Sequence, residues 1–135
     1  MKPYEILEHT ADIGIIAYGK NPEAVFINAA TGMFDIIADT RRIKPREKIE
    51  IHEKADSFDE LLLQWLRELL YQYSVSGIIP KEFTINKLDS TEIKATARGD
   101  KAAPALKAEI KAVTYHELEF RQIATGYQAK VIFDV

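Results

Sequence analysis

The sequence predicts an α+β fold in which a mostly antiparallel sheet carries two long helices packed on one face. Two segments have apolar residues at helical spacing, and several others alternate apolar and polar residues. Helices and strands do not alternate regularly, and no glycine-rich phosphate loop is present, which argues against a doubly wound parallel sheet. Since the chain has no linker and no internal repeat, a single domain over residues 1–135 is expected.

Both helices are predicted from capping signals and from apolar stripes. Asn21 and Pro22 form a start signal, because asparagine caps free amides and proline fits the first helical position. The second helix is expected to begin at a capping box made by Ser57 and Glu60 and to end at Gly77. The residues of the two buried stripes are Val25, Phe26, Ala29, Ala30, Met33, Phe34 and Ile37, and Leu61, Leu62, Trp65, Leu66, Leu69, Leu70 and Tyr73.

The remaining segments have the period-two pattern of half-buried strands. Two short strands are expected between Tyr4 and Lys20, on either side of a polar break. Residues 88–90 are typical of a hairpin turn, and residues 99–108 fit either a loop or a short helix. The other strands are expected over residues 48–54, 83–85, 93–98, 117–121 and 129–135.

The composition excludes several classes of site. The chain has no cysteine, which excludes disulfides, zinc-thiolate sites and thiol nucleophiles and fits a reducing cytoplasm. Lys and Arg total 18 against 21 Asp and Glu, so the net charge of -3 lacks the basic excess of a dedicated nucleic-acid binder. We therefore expect any RNA to be held through another protein. Without a signal core or a membrane-spanning stretch, a soluble cytoplasmic protein is expected, with no membrane partner.

No catalytic residues are predicted. A serine hydrolase is disfavoured, because no Gly-x-Ser-x-Gly elbow is present and the histidines are limited to three. A catalytic zinc site is disfavoured as well, because no His-Glu-x-x-His occurs.

The C-terminal strand combines apolar and acidic groups. Val131, Phe133 and Val135 share one face, while Asp134 lies on the other. An acid thus ends an apolar strand, and the α-carboxylate of Val135 follows one residue later. A hard cation with oxygen ligands, such as calcium, would relieve the repulsion between the two negative groups. The alternative is a solvated chain end, which is the commoner case.

Three strings, in their order and approximate spacing, resemble the archease family. They cover residues 9–14 (HTADIG), 109–116 (EIKAVTYH) and 131–135 (VIFDV), and the helix over residues 61–70 resembles the family's central helix. The resemblance covers essentially the whole chain. One departure is residues 101–108, which contain neither the histidine nor the glycine that often precede the second string in the family.

The resemblance implies an accessory protein, not an enzyme. Members of this family promote guanylylation and turnover of the RtcB-type tRNA-splicing ligase, so RNA is expected to be contacted only indirectly, through that ligase. The implied metal ligands are Asp12, Asp134 and the α-carboxylate of Val135, with calcium as the expected divalent cation. Lys111 and His116 are interpreted as structural polar contacts.

Two alternatives stay open beside ligase activation. One is a chaperone-like modulator of a tRNA methyltransferase, a role also proposed for the family, which the sequence does not separate from ligase activation. The other is a metal-dependent hydrolase in which the two aspartates activate water, which is disfavoured because no recognisable general base accompanies them.

Overall fold

Seven strands and two long helices make up the part of the chain that the computed structural model describes, residues 2–8, 12–101 and 106–135. In neither helix is there an apolar stretch long enough to cross a membrane within these residues. The strands are Tyr4–Glu8 (β1), Asp12–Gly19 (β2), Glu47–Lys54 (β3), Ile79–Leu88 (β4), Glu92–Asp100 (β5), Ala112–Ile123 (β6) and Gly126–Asp134 (β7). The helices are Pro22–Ile37 (α1) and Phe58–Ser76 (α2), and a short 3-10 turn covers Thr40–Arg42.

The strands form two antiparallel sheets, one in the order β1-β2-β7-β6 and one in the order β3-β5-β4. This confirms the predicted α+β class, the antiparallel pairing and the two long helices. The strands divide between two sheets, and each helix contacts both: α1 packs on β2 and β4, and α2 packs on β6 and β3. Period-two alternation shows which face of a strand is buried but not which strands pair, so this division is not visible in the sequence.

The predicted capping residues Asn21, Ser57 and Gly77 are confirmed, whereas the Glu60 carboxylate of the predicted capping box accepts from the amide of Asp56 at 3.4 Å. Asn21 Oδ1 accepts a hydrogen bond from the amide of Ala24 at 2.9 Å, and the Ser57 hydroxyl accepts one from the amide of Glu60 at 3.5 Å. Gly77 ends α2 with φ of 76°, a left-handed conformation that glycine adopts without a steric penalty.

The turn between β4 and β5 is also confirmed. Asp89 Oδ1 accepts hydrogen bonds from the amides of Thr91 and Glu92, both at 2.9 Å. Residues 99–108 were predicted to form either a loop or a short helix. Residues 99 and 100 belong to β5, and residues 102–105 lie outside the described residues. Leu106 then forms an isolated bridge with Ala38, just after α1.

The edge strand β1 is fastened to α1 by one half-buried carboxylate. Asp35 accepts hydrogen bonds from the Tyr4 hydroxyl at 2.5 Å and from the Thr40 hydroxyl at 2.9 Å. Burial, followed by the bond to this carboxylate, raises the pKa of the Tyr4 phenol to about 12. The phenol thus stays a donor, and the contact fixes β1 beside the helix.

The stripes of both helices meet in one buried cluster around Trp65. Its side chain is fully buried, and its indole N–H donates to the carbonyl of Phe26 in α1 at 2.9 Å. Its ring also packs edge-on against Phe83 of β4, with 6.0 Å between centroids. Trp65 therefore joins both helices to the three-stranded sheet.

We expect Trp65→Phe to lower the free energy of unfolding by about 2 to 3 kcal/mol, because it leaves a cavity and removes the buried hydrogen bond from the indole to the carbonyl of Phe26. Urea denaturation followed by circular dichroism measures the change. The exposed-site control Tyr71→Phe should change stability by less than about 0.5 kcal/mol. A loss equally small for Trp65→Phe would contradict this view of the core.

Candidate cation site at the end of the central strands

The pairing of β2 with β7 at the centre of the four-stranded sheet positions the site. The register runs from Gly19 opposite Tyr127 to Asp12 opposite Asp134. Cross-strand partners in antiparallel sheets have Cα atoms only about 4.5 to 5.5 Å apart. Two acids from opposite ends of the sequence therefore lie side by side, and the structure brings together the two aspartates that the sequence analysis selected.

Asp12 has an unusual environment for a carboxylate. The residue is half-buried, and its Oδ1 atom is buried without a hydrogen-bond donor among the described residues. Buried polar atoms are normally paired, so an orphan acceptor needs an explanation. A carboxylate oxygen in this state suits a cation, an ordered water or a donor from a partner.

The end of β7 is fixed through its backbone. The carbonyl of Asp134 accepts a hydrogen bond from the amide of Lys111 at 2.7 Å, which attaches the segment before β6 to the strand end. The side chain of Asp134 is exposed, and Val135 follows it with 42% of its surface accessible. The acidic end of the strand thus has a fixed main chain and accessible oxygens.

The apolar side chain of Ile132 lies beside the acids, on the sheet face opposite the core. Ile132 shares this face with Asp134 and is only 2% exposed. A Cβ atom on Gly14, its partner on β2, would lie 2.7 Å from Ile132 Cδ1 and 3.0 Å from the carbonyl oxygen of Val131. The close approach depends on glycine at this position. Apolar surroundings strengthen both the repulsion between the carboxylates and their attraction for a cation.

The donor set fits a hard cation, because aspartate oxygens are the ligands that calcium and magnesium take. Among the described residues, no group of three or more His, Cys, Asp or Glu side chains is placed to hold a metal ion. His9 lies outside those residues. Because calcium takes 6 to 8 oxygen ligands, most of them would come from main-chain groups, water or a partner.

A wide bulge in β6 was not predicted. Between Thr114 and Glu119 the register with β7 shifts, and Glu117 adopts a left-handed φ of 53°. The amide of His116 donates to the Thr114 hydroxyl at 3.2 Å, and the His116 ring lies 3.4 Å from the Glu117 carboxylate. The side chains of both His116 and Lys111 are exposed. The structural interpretation of His116 and Lys111 stays a prediction.

Arg67 on α2 was not predicted as a functional residue either. Its Nε–H donates to the carbonyl of Val113 at 3.0 Å, and its guanidinium lies 4.7 Å from the ring centroid of Tyr115. Helical spacing shows only that Arg67 is off the apolar stripe. The bulge that brings Tyr115 to it has no signal in the alternation pattern.

The fold and the sequence agree with known proteins over the same span. The model of the Archease protein family matches residues 4–135. The chain belongs to the Archease family. The archease of Methanosarcina barkeri is 42% identical over 141 residues, which cover 99% of this chain and 97% of that protein. The resemblance stated from the three strings is therefore confirmed.

Two solved structures share the archease fold. Protein 1598 of Methanobacterium thermoautotrophicum, a solution structure, has a TM-score of 0.87 and 34% identity, with 100% of both chains covered. A crystal structure from Thermotoga maritima, described as "an archease, possible chaperone", has a TM-score of 0.65 and 25% identity. The match covers 96% of this chain and 94% of the Thermotoga maritima chain.

We expect Asp12→Asn to raise the free energy of unfolding by about 1 kcal/mol in the presence of a chelator. The amide removes a half-buried charge that lies beside Asp134 and whose Oδ1 atom has no donor among the described residues. The same substitution at Asp35, whose carboxylate accepts two hydrogen bonds, should lower stability by about 1 kcal/mol. Urea denaturation of both variants measures whether the free energy of unfolding rises or falls. A lower free energy of unfolding for Asp12→Asn in the absence of a cation would contradict the interpretation of Asp12 as an uncompensated carboxylate.

Proposed function

We propose that this archease is a metal-binding accessory protein that activates an RtcB-type tRNA-splicing ligase by promoting its guanylylation and multiple turnover. The observation that carries the proposal is the position of Asp12 opposite Asp134, with a buried Asp12 oxygen that has no donor among the described residues. Family membership supports the ligase as the partner. The ligase is the catalyst in this scheme.

The proposed cation ligands are Asp12, Asp134 and the α-carboxylate of Val135, and calcium is the proposed ion. A bound cation would supply a positive charge with coordination positions left for oxygen groups of a partner. The chain itself holds two carboxylates in a fixed register at the centre of a sheet and borders them with the apolar side chain of Ile132. This preorganisation reduces the cost of gathering the negative charges.

The proposed contact with RNA is indirect and is made through the ligase. The net charge of -3 gives the chain no general attraction for phosphate backbones. An acidic site is also better suited to a cation or to basic groups of a protein than to RNA. The proposed contact is therefore between the acidic strand ends and the ligase, near the place where the ligase becomes guanylylated.

A second candidate is a chaperone-like modulator of another RNA-modifying enzyme, such as a tRNA methyltransferase. It is supported by the description of the Thermotoga maritima relative as a possible chaperone. Capture of the native chain's partners from its own cytoplasm separates the two candidates. Enrichment of the ligase supports the first, and enrichment of a methyltransferase without the ligase supports the second.

We expect Asp12→Asn and Asp134→Asn each to abolish stimulation of the ligase while the fold is retained. Each change removes one charge from a site where charge count largely sets affinity for a hard cation. Multiple-turnover RNA joining measures stimulation, and circular dichroism verifies folding. Asp39→Asn is the matched control, because Asp39 pairs with Arg41 at 2.6 Å and is not part of the site.

Calorimetry with calcium tests the ligands directly. Both site variants should bind calcium at least about tenfold more weakly than the native chain. A glycine added after Val135 replaces the terminal carboxylate with an amide and should weaken binding as well. Full stimulation by both folded aspartate variants would exclude the proposed site, and an unchanged calcium affinity of the extended chain would remove Val135 from the ligands.

A further inference from the structure

A second feature, separate from the aspartate pair, is an open groove of about 830 Å³ between the C-terminal half of α2 and residues 109–113. Arg67, Tyr71 and Tyr73 line the helix side. The other side is the segment that leads into β6. The lining combines aromatic rings, main-chain groups and a guanidinium, a mixture typical of protein interfaces.

Exposed apolar side chains lie in this groove or next to residues that line it. Tyr71 in its wall is 60% exposed, Val75 one turn further along α2 is 67% exposed, and Tyr115 beside Arg67 is 66% exposed. They are three of the six large hydrophobic side chains exposed in the described part of the chain. Clustered exposed apolar groups mark surfaces that a partner covers.

Arg67 is held in place and yet lacks an acidic partner. The Val113 carbonyl takes its Nε–H, and the Tyr115 ring covers the guanidinium. In the described ranges no carboxylate lies within ion-pair distance of Arg67. Its terminal N–H groups are therefore preorganised for an external anion, and a carboxylate matches their fork.

The bulge of β6 positions Tyr115 for this role. Left-handed φ values at non-glycine residues are uncommon and concentrate at functional sites, and bulges redirect side chains. Here the strained residue is Glu117, whose carboxylate is bonded to Lys130 at 3.0 Å. The ion pair with Lys130 holds the bulge at Glu117, and the contact of Tyr115 with Arg67 holds it two residues earlier.

We propose that this groove docks a protein segment in which an aspartate or glutamate is adjacent to an apolar side chain. The carboxylate binds the terminal N–H groups of Arg67, and the apolar side chain packs among Tyr71, Val75 and Tyr115. A polynucleotide fits less well, because Glu109 also lines the groove and would oppose a run of phosphates. Arg67 and Lys111 against Glu109 leave one net positive charge, enough for one carboxylate.

The groove and the acidic strand ends share one segment of β6. Ala112 lies opposite Asp134, and the carbonyl of the next residue, Val113, holds Arg67. A single partner can therefore contact both. That this partner is the ligase rests on the proposed function, whereas the docking chemistry does not.

An NMR titration of the full chain with the capped tripeptides Leu-Glu-Leu and Leu-Gln-Leu tests the docking chemistry without the ligase. We expect the acidic peptide to shift the Arg67 Nε–H and Tyr115 signals, and Arg67→Gln to weaken its binding at least tenfold. The neutral peptide should bind at least tenfold more weakly than the acidic one. No shift with the acidic peptide, or stronger binding of a uridine hexanucleotide in the groove, would overturn the proposal.

Binding of purified ligase tests the identity of the partner. We expect Arg67→Gln and Tyr71→Ala each to weaken its affinity at least tenfold, with ligase stimulation restored at saturating concentration. The control Arg121→Gln removes an exposed β6 arginine that pairs with Glu119 at 2.5 Å and should leave affinity unchanged. Native affinity of both folded groove variants would exclude the ligase as the docked partner. Absence of any binding by the native chain would instead count against the proposed function.

Discussion

The antiparallel pairing of β2 with β7 determines both the buried face of the four-stranded sheet and the position of the candidate cation site. These strands lie near opposite ends of the sequence and form the centre of the four-stranded sheet, with β1 and β6 on their outer edges. Their inner faces bury Ile15, Val131 and Phe133 against α1 and the core. A slip of one residue would move these side chains out of the core, so burial fixes the register that places Asp12 opposite Asp134.

This arrangement places the apolar burial and the proposed cation site on opposite faces of the same two strands. The inner face supplies apolar burial, while the end of the outer face carries two carboxylates that no described donor neutralises on the Asp12 side. Natural proteins retain such unfavourable groups where a ligand or partner compensates them. Arg67, beside the neighbouring bulge, is the corresponding case with the opposite charge, because no carboxylate in the described part of the chain pairs with it. The start of β6, at Ala112 and Val113, therefore lies between the acidic pair of Asp12 and Asp134 and the basic side chain of Arg67.

The helices, the β4–β5 turn and most strands were predictable because their signals are local. Asn21, Ser57 and Gly77 mark helix ends through contacts with their own neighbours in the chain. The division into two sheets was not predictable, since it depends on pairing between distant segments. The C-terminal alternation indicated Asp134 and Val135, but Asp12 came only from the family resemblance, because its proximity depends on long-range register. Arg67 and the bulge gave no local signal at all.

The most direct test of the account is an NMR titration of the chain with Mn²⁺ as a paramagnetic substitute for calcium. If the strand ends share one cation site, the amide signals of Ile13, Lys111 and Phe133 broaden together at the lowest Mn²⁺ concentrations, and added calcium reverses the broadening. A second pair of acids, the exposed Asp89 and the half-buried Glu92, binds Lys87 and provides an internal comparison that should broaden only at higher concentrations. Broadening that begins there, or that never includes both strand ends at once, would contradict a shared cation site.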